Sequence, residues 1–143
     1  MQNKIVLFLF IIFNLFFFKA YSDDQINFDV TEIEILDGGN KIIGKNRGSI
    51  STTNGIYIEA DEFEFDKIKN ILTAVGNIKI KDNINNYNFS AQSLLYLKNE
   101  EKINLREQVE ALVNDDYKFK TENITFLRNE MIIISDVGAT ILD

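Results

Sequence analysis

The sequence predicts an all-β protein, a twisted β-jelly roll or β-taco made of strand–turn–strand repeats of about 30 residues. Three observations carry that prediction. Apolar residues recur at every second position, as in half-buried strands, and helix-period stretches are missing. One strand pattern returns four times at intervals of 30 or 31 residues. Within each copy the apolar parity slips by one residue at the same place.

The first element is a targeting segment. Residues 1–22 carry an early Lys4, an apolar block from Ile5 to Phe18 broken only by Asn14, and no acid, which is the pattern of a secretory signal peptide. Ala20 and Ser22 give the small-x-small spacing of a signal-peptidase site, so cleavage is expected before Asp23, with 23–143 as one domain. An uncleaved anchor is the competing reading, but a spanning helix needs about 20 apolar residues and this block stops sooner, at Lys19. The expected location is therefore outside the cytoplasm. Loss of Lys4 and Lys19 leaves thirteen basic against twenty-two acidic residues, a net charge of −9 compared with −7 for the whole chain. Such a surface argues against nucleic acid as a partner. With no cysteine, the core must hold without disulfides, and a lipid-anchored N-terminus is excluded. With no histidine, the usual metal ligand and the usual general base are both missing, so neither metal nor cofactor is expected.

The repeats follow. Ile58-Glu-Ala-Asp-Glu-Phe63-Glu-Phe65 aligns with Phe89-Ser-Ala-Gln-Ser-Leu94-Leu-Tyr96, with Phe119-Lys-Thr-Glu-Asn-Ile124-Thr-Phe126 and, upstream, with Phe28-Asp-Val-Thr-Glu-Ile33-Glu-Ile35. A second alternating strand follows each copy: Leu72, Ala74, Gly76, Ile78 and Ile80 correspond to Ile103, Leu105, Glu107, Val109 and Ala111. Ile133, Val137, Ala139 and Ile141 continue the series in the last copy, and Ile42, Gly48 and Ile50 carry a looser match in the first. The connections are rich in Asn, Asp, Gly and Lys, as turns require.

The parity slip locates the bends. It falls at Thr31-Glu32, Asp61-Glu62, Gln92-Ser93 and Glu122-Asn123. A one-residue slip turns the apolar set toward solvent unless the strand bulges or bends there. Corners at these four places would fold the strands over a single apolar interior.

Polar motifs add little chemistry. Gly39-Asn-Lys-Ile-Ile-Gly44-Lys45-Asn46 nearly spells a phosphate loop but has Asn46 where Ser or Thr is needed and no following helix. The acid pairs Glu32/Glu34, Glu59/Asp61 and Glu62/Glu64 alternate with apolar residues and are expected on a solvated outer face rather than in a catalytic cleft, so no enzyme is expected. Asp82-Asn83-Ile84-Asn85-Asn86 and Asp115-Asp116 lack the ligand order of a calcium loop. What remains is the interior, where large side chains interleave with small ones. It reads as a packed core, or as a groove if the fold gapes at its ends.

The segments EIEILDGGNKIIG, GIYIEADEFEFDK, ILTAVGNIKIKD and LYLKNEEKI, above all Ile58-Glu59-Ala60-Asp61 and Thr73-Ala74-Val75-Gly76-Asn77-Ile78, resemble the OstA-like domain of the lipopolysaccharide transport family. The likeness is greatest to the N-terminal periplasmic domain of its outer-membrane assembly branch, LptD, and next to its bridge branch, LptA. Later copies depart from the motif, with Gln92 and Glu122 for the Asp and Glu107 and Val137 for the Gly. The resemblance implies a jelly roll whose interior carries acyl chains of lipopolysaccharide. Partners would be lipopolysaccharide, neighbouring jelly rolls joined by edge-strand addition near Phe28–Ile35 and Ile133–Ile141, and the outer-membrane assembly complex. The expected location is the periplasm, or the outer membrane as part of a longer LptD-type chain. The implied lipid-facing set is Ile58, Ala60, Phe63, Phe65, Leu72, Ala74, Ile78, Ile80, Phe89, Leu94, Tyr96, Ile103, Leu105, Phe119 and Phe126. An acyl chain of about a dozen methylenes costs on the order of 10 kcal/mol to expose to water, so a covered path is needed. Two alternatives stay open: a structural or adhesive β-repeat protein with a filled core, and a stand-alone bridge protein.

Overall fold

The structure, a computed structural model, describes residues 25–142; the expected signal segment and its cleavage site lie outside the described residues. Ten strands form one antiparallel sheet: β1 (Ile26–Leu36), β2 (Lys41–Thr52), β3 (Ile56–Ala60), β4 (Glu62–Asp66), β5 (Ile71–Asp82), β6 (Tyr87–Leu97), β7 (Lys102–Val113), β8 (Tyr117–Leu127), β9 (Ile132–Ile134) and β10 (Thr140–Leu142). β3 with β4 is one strand broken at Asp61, and β9 with β10 is one strand broken at 135–139, so the sheet is a meander of four strand–turn–strand repeats. The final strand is less regular than the alternation of Ile133, Val137, Ala139 and Ile141 predicts, because two three-residue strands flank an unpaired stretch.

The corners fall at the sequence slips, and their backbone cause lies on the neighbouring strand. Between Val30 and Glu32 one residue of β1 faces two of β2, Asn46 and Arg47. Gln92 of β6 faces Gly76 and Asn77 of β5, and Glu122 of β8 faces Glu107 and Gln108 of β7. All six of these paired bulge residues have positive φ, between 46° and 78°. Each pair is a bulge that turns the sheet, and the facing strand, whose apolar parity slips by one there, keeps its apolar side chains inward on both sides. Every long strand therefore has two halves. The sheet folds along this line into a first arm, holding 26–30, 48–52, 56–60, 78–82, 87–91, 109–113 and 117–121, and a second arm, holding 32–36, 41–45, 62–66, 71–75, 93–97, 102–106 and 123–127.

Side chains bind the corner line together. Asp61 accepts from Arg47 (Nη1 to Oδ1, 2.9 Å) and from Asn77 (Nδ2 to Oδ2, 2.7 Å), and its own N–H donates to the Gly76 carbonyl at 3.0 Å. Gln92, one repeat later, accepts from the Asn77 N–H at 3.2 Å. The Ala-Asp and Gly-Asn halves of the sequence motif thus meet across the fold line. A Cβ on Gly76, at φ +78°, would sit 2.5 Å from Asp61 Oδ2, so glycine is required there on two counts.

Residues paired in register point to the same face, so rows of side chains cross the whole sheet. One inner row runs Phe28, Ile50, Ile58, Ile80, Phe89, Ala111, Phe119, Ile141 on the first arm. The opposing row on the second arm is Ile35, Ile42, Phe65, Leu72, Tyr96, Ile103, Phe126, Ile133. They meet between the arms: the Phe126 ring lies 5.4 Å from Phe89 and 5.0 Å from Tyr87, and Phe28 lies 6.3 Å from Phe65. The acid pairs behave in part as expected, with Glu32, Glu34, Glu62 and Glu64 exposed. Glu59 and Asp61 are instead half-buried partners of Arg47.

Two glycines separate strain from crowding. Gly76→Ala should lower unfolding free energy by about 2–3 kcal/mol, from left-handed backbone strain plus displacement of Asp61. Gly38→Ala, at φ +63° with nothing within 4 Å, should lose only the backbone share, about 1 kcal/mol, in the same urea titration.

Candidate functional site

The interior between the arms is the candidate site. Ile58, Ala60, Ile78, Ile80, Phe89 and Phe119 project into it from the first arm. Phe63, Phe65, Leu72, Ala74, Leu94, Tyr96, Ile103, Leu105 and Phe126 project from the second. All are buried except Phe119, which is half-buried and packs on the same cluster. The fold thus brings the whole predicted set together. In the middle of the roll the two rows interdigitate as a filled core. Open space appears at the β1 end, where a cavity of about 420 Å³ lies between Ile26 and Phe28 of one arm and Ile42 and Phe65 of the other.

Both inner rows continue past the covered core to the sheet edges. Ile35 is 62% exposed and Ile141 80% exposed, although Ile35 lies in register with buried Ile42 and Ile141 with half-buried Phe119. Their exposure is positional: β1 pairs only with β2, and β9 and β10 pair only with β8, so nothing covers these ends among the described residues. The edge strands consequently present unpaired backbone next to uncovered apolar side chains.

The seam opposite the fold line carries a feature that the sequence reading missed. Arg128, in the turn after β8, donates from Nε to Asp82 Oδ2 at 2.7 Å and from Nη2 to Asp82 Oδ1 at 3.2 Å. Its Nη1 donates to Glu101 Oε2 at 2.8 Å, and Nη2 also reaches the Asn54 carbonyl. Glu101 accepts in addition from Tyr96 Oη and from Asn54 Nδ2, both at 2.9 Å. Asn54 and Asp82 end the first arm, whereas Tyr96, Glu101 and Arg128 belong to the second, so the cluster latches the arms together. Asp82 is 1% exposed and Arg128 7% exposed. The segment beginning at Asp82, weighed above for calcium, spends its carboxylate on Arg128 and on the turn donors Ile84 N–H, Asn85 N–H and Asn85 Nδ2.

Ionisation follows from these partners. Burial alone would raise the Asp82 pKa, but the hydrogen bonds from Arg128 and Asn85 outweigh it and hold the carboxyl below its usual value. Burial likewise opposes the Arg128 charge, and Asp82 and Glu101 overcome it, so the guanidinium is held more firmly protonated. The Tyr96 hydroxyl is pushed up, first by burial and then by the charge of Glu101, and stays a donor.

No protein-family model matches the chain, and no curated protein matches it. A solved structure does. The chain is similar to the crystal structure of LptH from Pseudomonas aeruginosa, described as the LptA-homologous periplasmic component of the conserved lipopolysaccharide transport device. The TM-score is 0.72 at 13% identity, over 83% of this chain and 94% of that one. The chain has the LptH fold. The corners, the paired arms and the inner rows are therefore an instance of the LptA-type β-jelly roll, as the repeat pattern predicts.

Breaking the latch from one side should be severe. Arg128→Ala leaves buried Asp82 and half-buried Glu101 without their cation and should remove about 3–5 kcal/mol of stability in urea unfolding. Arg128→Met with Asp82→Asn and Glu101→Gln, which removes all three charges together, should recover more than half of that loss. The depressed Asp82 pKa makes its contribution present above the unfolded carboxyl value, near 4, and lost as the pH falls through the lower folded value. The pH dependence of stability below about pH 4 should therefore be shallower in Asp82→Asn than in the parent.

Proposed function

We propose that the chain is a periplasmic carrier module for lipopolysaccharide, exported by its N-terminal segment, that holds acyl chains between its arms and passes them along without catalysis. The observation that carries this reading is the continuity of both inner apolar rows to uncovered ends at β1 and at β9/β10, within a fold shared with a periplasmic component of a lipopolysaccharide transport device. An acyl chain leaving one roll needs apolar cover at once, given about 0.8 kcal/mol per exposed methylene. Rows that run out to the edges supply that cover once a second roll adds its strand there. β1 offers eleven residues of unpaired edge for such addition. Partners of this kind include other jelly-roll transport proteins and the outer-membrane assembly complex. The domain motif points to an LptD-type N-terminal module, with an LptA-type bridge as the neighbouring assignment.

A non-catalytic role is supported by the placement of the acids. Glu32, Glu34, Glu62 and Glu64 lie on the outer surface, and Asp61 is committed to Arg47 and Asn77. One observation favours a second reading, a structural β-repeat protein: the middle of the interior is already filled by its own side chains.

Photo-crosslinking separates the two. A photoreactive residue at Phe63, Phe65 or Tyr96 should capture lipopolysaccharide in living cells, while one at the outward-facing Thr73 should not. Absence of an adduct at every inner position, in protein shown to be folded, would leave the structural reading.

A further inference from the structure

The outer face of the first arm carries a groove of about 420 Å³ that crosses from β3 to β8. Its cause is a difference in side-chain length between neighbouring strands. The outward residues of β6 are the short Asn88 and Ser90, whereas Lys79 and Lys81 stand beside them on β5 and Glu110 and Leu112 on β7. Ile80, Phe89 and Ala111 point their side chains inward, so they meet the groove as backbone and give it a floor. Tyr57 and Lys118 wall it from the flanking strands. Charge is unevenly matched within it. Glu110 is paired with Lys118 at 3.4 Å and Lys120 at 2.5 Å, and Glu59 with Arg47 at 3.3 Å and the Tyr57 hydroxyl at 3.3 Å. Lys79 and Lys81, both exposed, make no ion pair or hydrogen bond among the described residues. In register, the row Tyr57, Lys81, Asn88, Leu112, Lys118 holds two cations and no acid, on a chain in which acids outnumber bases by twenty-two to fifteen.

We propose that this groove binds an acidic saccharide, a sugar that carries phosphate or carboxylate groups. The Tyr57 ring and Leu112 cover the C–H faces of the sugar, Asn88 and Ser90 hydrogen-bond its hydroxyls, and Lys79 and Lys81 meet its acid groups. The two lysines are two residues apart on one face of β5, about 7 Å at their bases, which lets each take a separate acid group. The proposal rests on the carrier reading for the source of the sugar: it says where the saccharide of a lipopolysaccharide lies while its acyl chains are between the arms. The fold line is closed by continuous backbone and the ends are where neighbours add, so a sugar attached to chains in the interior leaves through the seam. Lys81 is next to Asp82 of the latch, so its row is the first that such a sugar meets on the outside of the first arm. The matching outer row of the second arm, Asp66, Ile71, Leu97, Lys102, Leu127, is mostly aliphatic and sets one acid against one cation. Charge complementarity therefore selects the first arm.

The test titrates the exported chain, followed by backbone amide shifts in NMR, with trigalacturonate, glucose 6-phosphate, neutral maltotriose and inorganic phosphate. At low salt one or both acidic sugars should shift the amides of 79–81, 88–90 and 110–112 and bind about tenfold tighter than maltotriose or inorganic phosphate, with the gap closing as salt rises. The tighter of the two identifies the acid as carboxylate or phosphate. Lys79→Gln with Lys81→Gln, which alters only exposed side chains, should cut that affinity about tenfold at an unchanged melting temperature, and Tyr57→Leu should weaken the sugars about threefold. Lys102→Gln on the second arm should change nothing. Inorganic phosphate bound as tightly as the acidic sugars, no preference over maltotriose, or a preference that survives the double lysine variant overturns the proposal. The carrier reading fails separately: lipopolysaccharide adducts at Phe63 or Tyr96 without lysine-dependent sugar binding remove only this site, whereas lysine-dependent sugar binding without any adduct removes only the carrier.

Discussion

The architecture depends on pairs of left-handed residues that fold one sheet along a line. At Asn46-Arg47, Gly76-Asn77 and Glu107-Gln108 the second strand of a repeat carries one residue more than its partners. A left-handed non-glycine residue costs about 1–2 kcal/mol, so a non-glycine pair costs about 2–4 and Gly76-Asn77 about half of that. Without the corner, a strand such as β6 would bury Phe89 and Ala91 and expose Leu94 and Tyr96. Each large apolar side chain returned to the core is worth about 1.5–3 kcal/mol, so two already offset the strain. The bulges persist because both halves of every long strand then face inward.

Folding along a line has a geometric consequence. One side of the roll is closed by continuous backbone; the other is a seam where two sets of turns meet, and the two ends are edge strands. Each boundary has its own chemistry. The fold line is held by exposed and half-buried polar bonds around Asp61, worth little individually at a solvated surface but repeated from strand to strand. The seam is held by one buried charge cluster at Arg128, where desolvation makes loss of a single partner expensive. The ends are held by nothing within the described chain, which is why Ile35 and Ile141 stand exposed in line with a closed core.

How much of this was legible follows from range. Period-two alternation and the 30-residue repeat are local signals, and they located the strands, the inward set and all four bends. The parity slip marked Thr31, Asp61, Gln92 and Glu122 because an apolar pattern records which face is buried. The bulges themselves sit on the opposite strand, and only Gly76-Asn77 announces a left-handed turn by composition; Glu107-Gln108 does so by no residue preference, and the neighbouring strands impose its conformation. The latch was illegible because Asn54, Asp82, Glu101 and Arg128 come from three turns and one strand end spread over 74 residues, and a polar residue there carries no mark of its partner. Tyr96 shows the same limit: its ring is buried in the apolar interior, while its hydroxyl belongs to the seam.

These boundaries also set the terms on which an acyl chain could take the place of packed side chains. Replacing contacts between Phe89 and Phe126 by contacts of each with a methylene chain leaves the apolar area removed from water nearly constant, so the interior itself opposes exchange only weakly. What opposes it is the work of parting the arms. At the latch that work includes separating a buried bidentate ion pair; at the β1 end it includes the contacts of Phe28 and of Lys98 with the Phe65 ring. A lipid admitted between the arms would therefore open the roll from the β1 end toward the latch, and the asymmetry of the seam, rather than any gradient in the apolar rows, would give the path its sense.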